Sequence, residues 1–107
     1  MGAGILETYR EFLPVTDATP LITMGEGNTP LVKSNRLGKE LGCDELYFKL
    51  EGCNPTGSFK DRGATLLFTA LAAAGVRGVI EDSSGNAGAA AAARAHARGA
   101  TATRSPP

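Results

Sequence analysis

The chain has 107 residues, 14 of them glycine, with 6% aromatics and no tryptophan, so any core is light in large side chains and belongs to one domain or a piece of one. Lysine plus arginine balance aspartate plus glutamate at 11 each, which removes the electrostatic case for nucleic acid or an anionic membrane surface. Cys43 and Cys53 are too far apart for a C-x-x-C pair, and a single histidine leaves too few soft ligands for a metal; free thiols in a cytoplasmic protein are the expectation.

At the N-terminus, Glu7, Arg10 and Glu11 interrupt the apolar stretch a signal peptide would need, Leu6 stands where a myristoylation pattern wants Ser or Thr, and no later run approaches a membrane span. Residues 1–30 read as an irregular arm with room for a short helix over Ile5 to Leu13 before Pro14, Pro20 and Pro30. Leu37 and Leu41 predict a short helix over Val32 to Leu41, closed by Gly42. Leu46 to Leu50 reads as a strand buried mostly on both faces. A helix is expected from about Ser58 to Ala74, stopped by Gly75, with Ala64, Leu67, Phe68 and Leu71 on its apolar stripe. Val76 to Glu81 is the next strand, Ser83 to Gly85 a tight loop, and Ala87 to Ala97 a helix of high propensity and little bulk. Ala100 to Thr103 begins a further strand, but Arg104-Ser105-Pro106-Pro107 cannot continue it through the middle of a sheet. The alternation predicts an α/β fold, a three-layer parallel sheet with flanking helices and right-handed crossovers. It divides into an arm and short helix over 1–45, a βαβα unit over 46–104 and a tail at 105–107.

The chemistry concentrates in Glu51-Gly52-Cys53-Asn54-Pro55-Thr56-Gly57-Ser58-Phe59-Lys60-Asp61-Arg62-Gly63. Asn54-Pro55-Thr56-Gly57 is turn chemistry, Ser58 is a good N-cap, and Asp61 completes an S-x-x-D capping signature. Lys60 therefore lies in the first helical turn, where unpaired N–H groups and the positive end of the macrodipole favour the free amine, the form that attacks an aldehyde.

This block resembles the cofactor-lysine segment of threonine synthases, pyridoxal-phosphate enzymes of the tryptophan-synthase-β fold type. Gly25-Glu26-Gly27-Asn28-Thr29-Pro30-Leu31 is similar to the family's G-E-G-x-T-P-L segment, and Ser83-Ser84-Gly85-Asn86-Ala87-Gly88 to its substrate loop, in family order. The resemblance implies that Lys60 carries pyridoxal 5'-phosphate and shuttles protons, and that Asn86 hydrogen-bonds the cofactor's ring hydroxyl. It further implies that Ser83, Ser84, Gly85 and Ala87 bind the α-carboxylate of a small amino-acid substrate, although many members carry a hydroxyl residue where this chain has Ala87. The implied reaction is a carbon–oxygen lyase step in threonine biosynthesis: O-phosphohomoserine and water give threonine and phosphate. Members continue with a glycine-rich phosphate loop and a ring-nitrogen partner beyond the position of residue 107. The chain is thus expected to be an N-terminal portion, inactive alone, with surfaces left for the absent C-terminal portion or for self-association.

Gly52-x-x-x-x-Gly57 imitates a P-loop frame, but Ser58 stands where its lysine should be. Ser83-x-Gly85-x-x-Gly88 imitates a dinucleotide fingerprint, but no acidic residue follows Asp82 to hold a ribose. Asn54, Ser58 and Arg62 fit a turn, a cap and a helix-surface charge as well as support for the lysine; Asn86 could serve only as a cap. Arg94 and Arg98 read as a solvated face and His96 as a surface residue. At the level of function, a serine or threonine dehydratase of the same fold type and a non-catalytic remnant or binding module remain alternatives, and the intact S-F-K-D-R-G run favours the synthase.

Overall fold

A computed structural model describes residues 3–99 and 101–104; the expected tail at 105–107 lies outside the described residues. Ile5–Thr8 forms α1, followed by a 3-10 turn at Arg10–Phe12. Leu31–Lys33 forms β1, Leu37–Glu40 α2 and Tyr47–Lys49 β2. Lys60–Ala73 forms α3, Gly78–Glu81 β3, Asn86–Arg98 α4 and Thr101–Arg104 β4. The α/β class is as expected.

The sheets differ from the expectation of one parallel sheet. β2 pairs antiparallel with β1, Val32 opposite Phe48, and β3 pairs parallel with β4, Val79 opposite Ala102. Val32 and Lys33 are strand residues, so the predicted helix over 32–41 shrinks to α2. Its start is held by Ser34 Oγ accepting from the Gly38 N–H at 3.0 Å, and Gly42 at φ +69° terminates it as expected. The hairpin is closed by main-chain bonds from Ser34 N–H to Leu46 and from Leu50 N–H to Pro30, which leaves β2 no free edge on that side. Both of its strands are exposed rather than buried on two faces. Arg104, expected not to enter a central strand, pairs opposite Glu81 at the end of β4 in this two-stranded sheet.

Helix α3 ends in a Schellman motif: Val76 N–H donates to the Leu71 carbonyl and Gly75 N–H, at φ +78°, to that of Ala72. Its buried face is not the leucine stripe but Asp61, Thr65, Phe68, Thr69 and Ala72, with Leu67 exposed. The polar stripe has a purpose. Ile22, on the irregular arm, has no strand neighbour, and Thr69 Oγ1 accepts its N–H at 3.0 Å while Thr65 Oγ1 donates to its carbonyl. Ile22, Phe68, Ala72, Ala91 and Ala95 form the core, with Val79 and Ala102 packed on it. The alanines of α4 let α3 approach closely, and this contact places the two helix starts beside each other.

Candidate active site

The turn before α3 is fixed from three sides. Asn54 is buried; its amide donates to the Glu51 carbonyl at 3.0 Å and to Glu51 Oε2 at 2.9 Å, and its Oδ1 accepts the Gly27 N–H at 2.9 Å. Gly57, at φ +85°, donates to the Asn54 carbonyl at 2.8 Å. Ser58 is buried with its Oγ accepting the Lys60 N–H at 3.2 Å. The capping box expected of S-x-x-D is not made. Phe59 is the N-cap residue, and Asp61 instead accepts from Thr56 N–H at 2.8 Å and Thr56 Oγ1 at 2.9 Å.

Lys60 emerges from this turn as the first residue of α3, exposed, with Nζ 5.2 Å from the centroid of the Phe59 ring. Among the described residues no carboxylate or carbonyl holds that amine, whereas Lys33 is paired with Glu45 at 3.2 Å and Lys49 Nζ donates to the Thr29 carbonyl at 2.6 Å. Lys60 lines a cleft of about 300 Å³ with Gly63, Ala64, Glu81, Ala87 and Ala91. Ser83, Ser84 and Gly85 line a neighbouring cleft of about 290 Å³, and Glu81 and Ala91 belong to both. The lysine and the predicted substrate loop thus converge on the start of α4.

Asn86 is the first residue of α4, exposed and on the wall of neither cleft. It is not a cap: Gly85 occupies the N-cap position and no side chain bonds the first turn, while Ser83 Oγ accepts the Gly85 N–H at 3.1 Å. The helix start therefore offers N–H groups to whatever enters the clefts. For a planar aldehyde cofactor the fit is one wall of a site: an amine that, among the described residues, rests on the Phe59 ring without a hydrogen bond or ion pair, beside the small residues Gly63, Ala64, Ala87 and Ala91.

Two charge clusters brace the site; the sequence offered Arg62 as one possible support without its partner Glu51, and gave no sign of the second. Arg62 Nε and Nη2 each donate to Glu51 at 2.8 Å, and Thr29 Oγ1 donates to Glu51 Oε1 at 2.7 Å. Arg62, then Thr29, hold the Glu51 carboxyl down at about 2, and Glu51 in turn raises Arg62. Arg94, expected on a solvated face, is 0% exposed, its Nη1 on Asp61 and its Nη2 on Glu26 at 3.1 Å. Glu26 also accepts from Ile5 N–H at 3.2 Å, Met24 N–H at 3.0 Å and the Thr23 hydroxyl. His96 is exposed, as expected.

Comparison with known proteins matches residues 22–106 to the family described as pyridoxal-phosphate dependent enzyme. The chain is similar to threonine synthase of Halalkalibacterium halodurans, 54% identical over 84% of this chain and 25% of the relative. It is 50% identical to threonine synthase of Synechocystis sp. over 90% of this chain and 25% of the relative, and 52% identical to that of Methanocaldococcus jannaschii over 79% and 21%. The chain spans about a quarter of the length of the first of these relatives.

Proposed function

Because this chain belongs to the pyridoxal-phosphate dependent enzyme family, we propose that it contributes the lysine wall of a threonine synthase active site, in which O-phosphohomoserine and water give threonine and phosphate, a carbon–oxygen lyase reaction. The observation that carries this reading is Lys60, without a hydrogen bond or ion pair on its amine among the described residues, lining the cleft it shares with Ala87, beside the loop Ser83–Gly85. Bound pyridoxal phosphate supplies an electron sink for the substrate carbons. Lys60 Nζ would hold the cofactor at its aldehyde carbon and would move protons at the substrate carbons. The N–H groups at the start of α4, with Ser83, Ser84, Gly85 and Ala87, would bind the substrate carboxylate, and Asn86 would hydrogen-bond the cofactor's ring hydroxyl. In a protein of the relatives' length, β3 and β4 become part of a larger parallel sheet with helices on both faces. Cytoplasmic location is supported by two free, exposed cysteines; no helix among the described residues is long and apolar enough to cross a membrane.

The reading is tested by incubating the chain with pyridoxal phosphate, reducing with borohydride and mapping the labelled peptides. Lys60 is expected to carry the label in preference to Lys39, which is exposed but lines neither cleft, and to the bonded Lys33 and Lys49. Label spread evenly over all of them sinks the assignment.

A further inference from the structure

We propose that Arg94 is a positioning residue for Lys60, a buried guanidinium that holds the lysine turn at a fixed distance from the start of α4. The proposal rests on the reading of Lys60 as the cofactor lysine. Arg94 grips the residue after that lysine twice, Nη1 on the Asp61 carboxylate and Nη2 on the Asp61 main-chain carbonyl at 3.3 Å. The same carboxylate accepts both hydrogen bonds from Thr56, so the guanidinium orders the turn through Asp61 as well as the first residues of α3. On α4, Arg94 lies one turn beyond Ala91 and two beyond Ala87, which line the lysine's cleft. The contact therefore sets the cleft's width. Nη2 carries the link on to Glu26, which gathers the arm through Ile5, Thr23 and Met24.

Stability alone explains this cluster poorly. It buries two carboxylates against one guanidinium and leaves Arg94 Nε without a hydrogen bond among the described residues. A well-packed apolar set would serve the core at least as well, and buried ion clusters are retained in some proteins because they fix geometry.

The test uses Arg94→Lys, whose single ammonium cannot span Asp61 and Glu26, and Thr56→Val, which removes one bond to Asp61 at a partly exposed position. Two readouts are taken on each: hydrogen exchange along the chain without cofactor, and borohydride trapping of pyridoxal phosphate per lysine. Exchange in the peptide covering 54–63 is expected to rise about tenfold in Arg94→Lys and less in Thr56→Val, with the β1–β2 hairpin unchanged. Trapping at Lys60 relative to Lys39 is expected to fall about threefold or more, a loss of positioning that leaves the amine itself intact. An unaltered Lys60 to Lys39 ratio in Thr56→Val and in a folded Arg94→Lys overturns the proposal. So does exchange rising equally across the chain in both variants, which marks a purely structural cluster. If Arg94→Lys does not fold, Thr56→Val decides alone. Failure of the parent chain to trap cofactor at Lys60 removes the cofactor reading, while the exchange pattern still decides whether Arg94 holds the turn.

Discussion

Asn54 is the side chain on which the lysine turn hangs, and its three hydrogen bonds show why an Asn and not an Asp stands there: donors are needed toward Glu51 and an acceptor toward Gly27. Asn54→Ala leaves the Gly27 N–H and a Glu51 lone pair without partners and is expected to destabilise by about 1–3 kcal/mol, read as a lower urea midpoint at unchanged slope. Glu51 makes a pH-dependent contribution. Its carboxyl lies at about 2 in the folded chain against an ordinary 4.5, so the stabilisation is present above 4.5 and lost as pH falls toward 2. With the Glu51 side chain 25% exposed, solvent screens the pair, and its worth is on the order of 1 kcal/mol. Denaturation of Glu51→Gln as a function of pH is expected to lack that part of the acid-side decline.

Among the elements, the G-E-G stretch ties the arm to the lysine turn and to α4. Gly27 has φ +83°, and an added Cβ would fall 2.6 Å from Ile5 Cγ2 and 3.3 Å from Arg62 Nη1. Gly27→Ala is expected to cost about 1–3 kcal/mol through both the left-handed backbone and the crowding, measurable as a lower thermal midpoint. Elements of this kind separate what was legible in the sequence from what was not. The lysine turn, the Gly75 stop of α3 and the start of α4 follow from residues a few positions apart, and local chemistry is written in neighbouring letters. Arg94 meets Asp61 across 33 positions and Glu26 across 68, and nothing in an alanine run announces such partners. The threonine face of α3 was illegible for the same reason: Thr65 and Thr69 are buried to serve Ile22, more than 40 positions earlier. The β1–β2 pairing was missed because a three-residue strand carries too little periodicity to compete with a helix pattern.

Taken whole, the molecule is open for its mass. It exposes 7071 Å², against roughly 5,600 Å² for a compact monomer of this size. Its radius of gyration is 16.5 Å where about 13 Å is usual. Ile80 on β3 is 78% exposed and Phe12 on the arm 76%. Apolar surface of this kind promotes self-association or loose packing. Size-exclusion chromatography is expected to show concentration-dependent association, with a shallow urea transition by circular dichroism; a sharp transition from a monomer at several molar urea would refute this. With both clefts open to solvent, the isolated chain is also expected to release no phosphate from O-phosphohomoserine, and turnover abolished by Lys60→Ala would contradict that.

The buried arginine also imposes an order of assembly. Its two carboxylates belong to residues 26 and 61, so a chain emerging from the ribosome presents both acids well before their counterion exists. Until residue 94 arrives, burying Glu26 and Asp61 means burying like charges, and the lysine turn has every reason to stay in water. Helix α3 can form on its local signals, but its first turn is completed only by a contact that closes a long loop. Lys60 is thus set in place only when α4 docks, in the same step that brings Ala91 and Ala95 into the core.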